Sequence, residues 1–406
     1  MERPVFGRAV LVSFVRSRAI VRTAFVSTYP PRRCGIASFT HELAAATGDR
    51  EIVVLHPPEQ TASYPIEVHH RIRKDQPEDY VHTARSLDAC VDVVSIQHDF
   101  GIWGGEDGAD VLEFVRALRV PAIATLHTVP GKPTPGQHAV LSDLVARAEA
   151  TVVMSQSAAT LLTRTYGVDG RRVTIIPHGV PDLPLVDPET VKPSLGLAGR
   201  QVLLSFGLLR PGKGYELALD ALPAVVAANP TALYVVVGPT EPELLRIEGE
   251  ALRQALLAQT QRLGLENHVR FIDRFIGRVE LTRWLEAADI FVAPYPDLDQ
   301  TVSGSMSYAL GAGRPVVATS FAYAAELLAD GRGILVSPAS PARLASALNR
   351  VLANDDLRAA TGRRAHEHSR RMVWSAVGSE YGRLFAQVAG SKRMMVPTLP
   401  LAAATA

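Results

Sequence analysis

The chain of 406 residues is poor in cysteine, and Cys34 and Cys90 alone exclude a disulfide framework and fit a reducing compartment. Excess charge of one sign is also lacking. Its 42 basic residues face 41 acidic ones, and a net charge of +1 gives no electrostatic reason to expect nucleic acid or an anionic membrane. Aromatics are sparse at 6%, and no uninterrupted apolar run reaches the roughly 18 residues of a membrane span. Only five of the 42 basic side chains are lysines, so Lys213, set between glycines in Pro-Gly-Lys-Gly, stands out. What is present is apolar. A hydrophobic fraction of 47% against 20% charged excludes disorder, and the length suits two α/β domains of roughly 150–200 residues each.

Residues 1–41 hold seven arginines and one carboxylate, Glu2. A targeting segment has this composition, but Ser and Arg interrupt Val10–Val12 and Phe14–Val15, and no small-residue cleavage site follows. Residues 1–20 are therefore expected to be an unstructured extension or the product of an upstream start codon. The protein is expected to be cytoplasmic, with peripheral membrane association through the Arg-rich start as an alternative.

Short β-branched runs alternate with helix-length segments. In the first half they are Val21–Ser27, Ile52–Leu55, Asp92–Gln97, Ala122–Leu126, Thr151–Met154 and Val173–Ile176. In the second half they are Val202–Phe206, Leu233–Val237, Val269–Ile272, Ile290–Ala293, Val316–Ala318 and Ile334–Val336. Continuously apolar runs suit strands buried on both faces of a parallel sheet, and the alternation predicts doubly wound α/β architecture. Val180–Leu197, with Pro181, Pro184, Pro188 and Pro193, reads as the junction between two Rossmann-like domains facing across a cleft. The expected boundaries are 21–182, a linker at 183–199, 200–372, a covering helix at 373–391 and a flexible tail at 392–406.

Three turns follow strands, where open α/β sheets bind ligands. The first, Tyr29 to Thr40, places Gly35 at a helix mouth, where backbone N–H groups meet an anion. The second, Gly207-Leu-Leu-Arg-Pro-Gly-Lys-Gly214, has P-loop spacing but carries Gly214 where the metal-binding hydroxyl belongs. Arg210 and Lys213 remain as cations for a diphosphate. The third, Asp297 to Tyr308, sets Ser303, Gly304 and Ser305 at the start of an apolar helix, as an anion cradle or an N-cap. His98 and His127 close predicted strands and reach the cleft, and His178 follows Pro177 at the junction. Trp103 reads as an acceptor-lining side chain or as the anchor of its glycine-rich loop. Asp99, Glu106, Asp107 and Asp110 lack metal-ligand spacing, so no metal is expected.

These segments together resemble glycosyltransferase family 4, retaining enzymes of the GT-B fold. The likeness is carried by Phe25 to Thr40, Ile175-Ile-Pro-His-Gly179, Gly207 to Gly214, Tyr308-Ala-Leu-Gly-Ala-Gly-Arg-Pro-Val-Val317, and Glu326-Leu-Leu with Asp330-Gly-Arg-Gly333. It extends from about Arg22 to Tyr381. The resemblance implies transfer of a hexose, glucose or mannose, from a nucleotide sugar to a carbohydrate, polyol or lipid-linked glycan hydroxyl, with retention and without metal or other cofactor. It implies that Gly35 and Lys213 hold the donor diphosphate and that His127 contacts the transferred sugar near the reacting centre. Alignment on Gly313-Arg-Pro315 puts Gln300 and Tyr308 where the family carries two glutamates. Gln300 can still hydrogen-bond a sugar hydroxyl, and Tyr308 can stack or donate. Leu208 replaces the family's arginine beside Gly207, with Arg210 as its substitute, while Asp297 or Asp299 can replace the lost carboxylate. The expected site thus comprises His127 and Gln300 for catalysis. Gly35, Arg210, Lys213, Ser303, Gly304, Ser305 and Tyr308 would bind the donor, and Trp103 and His98 the acceptor. Alternatives are a GT-B sugar-nucleotide binder without turnover, a sugar-nucleotide epimerase and a P-loop-like NTPase.

Overall fold

The continuous apolar runs become the inner strands of two parallel sheets in the computed structural model, which describes residues 21–395 except positions 49, 59, 60, 62 and 339. The expected extension at 1–20 and the tail beyond 395 lie outside the described residues. The first sheet contains β1 (Thr23–Ser27), β2 (Arg50–His56), β3 (Val68–Arg73), β4 (Val93–His98), β5 (Ala122–Leu126), β6 (Ala150–Val153) and β7 (Val173–Ile175). Its order is β3-β2-β1-β4-β5-β6-β7. Between these strands run α1 (Gly35–Thr47), α2 (Pro77–Leu87), α3 (Val111–Ala117), α4 (Pro135–Arg147) and α5 (Gln156–Tyr166). Every residue of β1, β4, β5 and β6 is buried, as double coverage demands. The strand β3 was not expected from the sequence. It is an edge strand, Val-His-His-Arg-Ile-Arg, in which Ile72 alone is buried.

The chain crosses through α6 (Pro188–Val191) and a 3-10 turn at Lys192–Leu195. This junction is anchored to the second half. Lys192, buried, pairs with Asp289 at 2.8 Å, and the buried Arg314 donates to the Val186 carbonyl at 2.7 Å. The second sheet holds β8 (Gln201–Phe206), β9 (Ala232–Val237), β10 (Val269–Ile272), β11 (Ile290–Ala293), β12 (Val316–Thr319) and β13 (Gly333–Val336). Its order is β10-β9-β8-β11-β12-β13. Its helices are α7 (Tyr215–Ala228), α8 (Pro242–Glu248), α9 (Ala251–Arg262), α10 (Arg278–Ala287), α11 (Gly304–Gly311), α12 (Ala322–Leu327), α13 (Pro341–Leu352) and α14 (Asp355–Ser369).

A second crossing leads to α15 (Trp374–Met395), which continues past the expected end at 391. It covers the face of the first sheet formed by Phe25, Ile52, Val93 and Ile123, using Tyr381, Phe385 and Val388. The rings of Phe25 and Phe385 meet edge to face at 5.9 Å, and Tyr381 Oη lies 3.2 Å from Thr125 Oγ1. Burying a side chain such as Phe385 stabilises the fold by about 1.5–3 kcal/mol. The two crossings are bonded to each other. The Val180 N–H donates to the Met372 carbonyl at 2.8 Å, and the Trp374 N–H donates to the Val180 carbonyl at 3.0 Å. A Cβ at position 179 would stand 2.2 Å from the Trp374 ring, so glycine there admits the indole.

Candidate active site

In each sheet the strand order reverses once, between β1 and β4 and between β8 and β11, and loops diverge there to leave a crevice. In the second domain the turns after β8 and β11 meet at Gly214. Its φ is +68°, and a Cβ would lie 1.9 Å from the Pro294 carbonyl oxygen, so only glycine permits the contact. One residue away on either side, the Lys213 ammonium sits 4.4 Å from the centre of the Tyr295 ring. The Tyr295 hydroxyl lies 3.0 Å from Ser305 Oγ and 3.4 Å from Ser303 Oγ, and those two hydroxyls are 3.2 Å apart. Burial pushes the Tyr295 phenol up, but the Lys213 charge and the two serines outweigh it and leave its pKa below the ordinary tyrosine value. Arg210 is exposed on the same turn. A cation, three hydroxyls and the start of α11 are thereby gathered where an anionic ligand finds charge-assisted hydrogen bonds.

Gly304, at that helix start, is approached by His178, whose Nε2 would stand 2.7 Å from a Cβ there. His178 Nδ1–H donates to the Gly179 carbonyl at 2.8 Å, and burial holds its pKa near 4, so a neutral imidazole covers this side of α11. Ser303 caps the helix by accepting from the Met306 N–H.

The first domain presents α1 and the end of β5. Cys34 caps α1, its Sγ accepting from the Ala37 N–H at 3.3 Å, and a Cβ at Gly35 would meet nothing within 4 Å. His127 packs edge-on against Phe39 at 4.8 Å. Gln97 donates Nε2–H to Ser95 Oγ at 3.2 Å, which turns its Oε1 toward His127 Nε2, 2.9 Å away. The imidazole is therefore protonated on Nε2 and carries its lone pair on Nδ1. Burial pushes its pKa down to about 3 against the opposing pull of Asp99, so the ring is neutral. Asp99 itself accepts from Thr128 Oγ1 at 2.6 Å and from the Gly101 N–H at 3.0 Å.

The two expected acceptor contacts are corrected by their burial. Trp103 is 1% exposed, packed between Tyr80 and Phe114, with Nε1–H donating to the Gln97 carbonyl at 3.0 Å. Its indole anchors the loop from below and lines no open space. His98 is wholly buried, edge-on to Phe100 at 5.0 Å, with neither ring nitrogen hydrogen-bonded among the described residues. Side chains alternate along β4, so Gln97 faces His127 while His98 turns into the opposite core. Burial holds the His98 pKa near 4 despite Asp99.

A family model described as Glycosyltransferase Family 4 matches residues 34–182, and one described as Glycosyl transferases group 1 matches residues 200–354. A phosphatidyl-myo-inositol mannosyltransferase of Mycobacterium leprae is 30% identical over 284 residues, spanning 68% of this chain and 70% of that protein. The chain belongs to glycosyltransferase family 4. Among its other curated relatives in the family, D-inositol 3-phosphate glycosyltransferase 2 of Catenulispora acidiphila is 32% identical over 288 residues, 64% of each chain. The match thus spans less than two thirds of that relative's length. Anabaena HepE, solved with UDP and glucose, superposes with a TM-score of 0.73 at 17% identity, covering 90% of this chain and all of that one. Sucrose-phosphate synthase from Thermosynechococcus elongatus superposes with a TM-score of 0.74 at 17% identity, covering 91% and 100%. The two facing Rossmann-like domains are a GT-B fold.

Against that family pattern, the positions of the glutamate pair hold side chains with other engagements. Gln300 Nε2–H donates to the Val302 carbonyl at 2.8 Å, within its own turn. Tyr308 lies against His178 and Phe206, and burial pushes its phenol up to about 12. Asp299 reaches across the cleft, its Oδ2 3.1 Å from where a Cβ on Gly131 would stand. Family membership also removes the P-loop reading of Gly207–Gly214, and α7 opens with Tyr215 and Glu216, which offer no aliphatic hydroxyl to a metal. Among the described residues, no group of three or more His, Cys, Asp or Glu is placed to hold a metal ion, and no helix is long and apolar enough to cross a membrane. Tyr295 was not picked out by the sequence, whereas Asp99 and His178 were noted there without a role in the site. The aromatic after Pro294, just past β11, and the acid directly after His98 at the end of β4 were the available signals.

Proposed function

We propose that this chain transfers a hexosyl group from a nucleotide sugar to a hydroxyl acceptor, with retention of anomeric configuration and without a metal ion. The observation that carries the reading is the convergence of Lys213, Tyr295, Ser303 and Ser305 where the second domain's strand order reverses. A fixed ammonium there offsets the charge that develops on the leaving diphosphate, the task a metal performs elsewhere. Arg210 adds a second cation at the rim, and Gly35 leaves room before α1 for the donor. His127 contributes its Nδ1 lone pair to a hydroxyl of the transferred sugar. Its neutrality suits that task, because an imidazolium would repel the positive charge gathering at the anomeric carbon. In the transfer, the acceptor oxygen bonds to the anomeric carbon and the bond from that carbon to the phosphate oxygen breaks. The acceptor proton passes to the leaving phosphate, and a nucleoside diphosphate departs.

The names of the relatives favour an acceptor that carries inositol, as its phosphate or as a phosphatidyl lipid, and the name of the Mycobacterium leprae protein favours a mannosyl donor. The test is a panel of UDP, GDP and ADP with their glucose and mannose conjugates, read by thermal shift and then by nucleotide release. A ligand at 100 times its dissociation constant adds about 2.7 kcal/mol of apparent stability. Stabilisation by one nucleotide, followed by release of its diphosphate when an inositol phosphate is supplied, supports the reading. Absence of both overturns it.

A second reading, binding of a sugar nucleotide without turnover, is favoured by the engagement of the Gln300 amide with Val302. It predicts a thermal shift with no release of diphosphate under any acceptor, and turnover abolished by Lys213→Ala overturns it.

A further inference from the structure

The turn that carries Gln300 is fastened both within its own domain and to the opposite one. Its Leu298 and Gln300 carbonyls accept from the Ala322 and Tyr323 N–H groups of α12 at 2.9 and 3.1 Å. Tyr323 Oη lies 2.7 Å from Ser307 Oγ on α11, so turn, α11 and α12 form one unit. The same α12 carries Glu326 in its last turn, and the side chain leaves its own domain. Its Oε1 accepts from the Gln156 N–H at 2.8 Å and its Oε2 from the Ser157 N–H at 3.1 Å. These are the first two amides of α5, an 11-residue helix of the first domain, and its positive end takes a carboxylate as a phosphate site would. Beside them the buried Ser155 caps α5 and donates its hydroxyl to the Thr301 carbonyl at 2.8 Å, one residue beyond Gln300.

We propose that Glu326 is a positioning residue, a clasp that seats on the start of α5 when the domains close and thereby fixes the Gln300 turn against His127's domain for transfer. This rests on the transferase reading above. Glu326 and Gln156 are solvent-exposed, so the contact is screened by salt and reversible, as a clasp that opens on every turnover must be. Glu326 touches neither the Lys213 cluster nor any part of the proposed diphosphate site. It therefore acts on the chemical step and not on donor binding.

The experiment compares wild type, Glu326→Ala and Glu326→Gln. Misplacement of a catalytic group by an ångström costs about 100-fold, so Glu326→Ala is expected to lower kcat for nucleotide-sugar turnover by roughly 10- to 100-fold. Its affinity for UDP or GDP, whichever the wild type binds, should stay within about twofold of wild type. Glu326→Gln, which keeps one acceptor oxygen, should recover part of the rate. Hydrogen exchange supplies a readout independent of activity, because the amides of Gln156 and Ser157 should lose protection in Glu326→Ala while the rest of α5 stays unchanged. Unchanged kcat, unchanged exchange at those two amides, or loss of nucleotide affinity together with activity would each overturn the clasp. A wild type that binds nucleotide but never releases product overturns the transferase reading instead, which separates the two failures.

Discussion

The Lys213 ammonium lies 4.4 Å above the Tyr295 ring, so two loops that leave different strands share one charge. Charge-assisted hydrogen bonds contribute roughly 1.5–3 kcal/mol, and Lys213→Ala is expected to weaken nucleoside diphosphate binding by about 10- to 100-fold. Isothermal titration with UDP and GDP measures this directly. Unaltered affinity would remove the lysine from the donor site. In the proposed metal-free mechanism, addition of EDTA to the wild type is expected to change neither affinity nor turnover, and loss of either would overturn the role given to Lys213 as the replacement for a metal.

Two glycines should respond in opposite ways to an added methyl. Gly214→Ala drives a Cβ to 1.9 Å from the Pro294 oxygen at φ +68°, and should cost about 1–3 kcal/mol, visible as a Tm several degrees lower. Gly35→Ala meets no protein atom within 4 Å and should fold as wild type, but its methyl enters the space before α1 and should raise KM for the nucleotide sugar. Equal effects of the two on Tm would contradict this assignment.

Acid should destabilise the fold through three buried imidazoles. The folded pKa is near 3 for His127 and near 4 for His98 and His178, all below the unfolded value of 6.5. The unfolded chain takes up these protons first, so stability is full above about pH 6.5 and falls as pH drops toward the folded values. All three therefore act in the same direction, lowering stability as pH falls from 6.5 to 5. His98→Leu removes one such group from the core without touching the cleft, and its urea midpoint should fall less between pH 7 and pH 5 than that of wild type. Parallel pH profiles would refute the assignment.

Trp103→Phe tests the burial of a residue whose sequence context suggests ligand contact. Loss of the indole bond to the Gln97 carbonyl costs about 0.5–1.5 kcal/mol, so the urea midpoint should drop. Turnover per folded molecule should be unchanged. An increased acceptor KM at unchanged stability would return Trp103 to the acceptor site.

Both halves of the fold could be read because their inner strands are buried on two faces and leave runs such as Leu-Tyr-Val-Val-Val in β9. The edge strand β3 buries Ile72 alone and leaves no such run. Turns at strand ends were legible because their glycines and Lys213 are local features. Tyr295 was not, since its role depends on β8 lying beside β11, a pairing between residues about ninety positions apart in sequence. Glu326 needed more still, because its partners Gln156 and Ser157 lie in the other domain. Trp103 misled because a tryptophan in a glycine-rich loop has the same local pattern whether its ring faces a ligand or the core.

The return of α15 to the first sheet sets an order of events during synthesis. The strands β1, β2, β4 and β5 leave the ribosome early, yet the face made by Phe25, Ile52, Val93 and Ile123 has only part of its cover, Phe39 and Leu43 of α1, until Tyr381, Phe385 and Val388 follow. The half made first is therefore the half completed last. A nascent chain carries a half-covered apolar sheet face through most of translation, and a ribosome that stops short of Trp374 releases a first domain without its second cover.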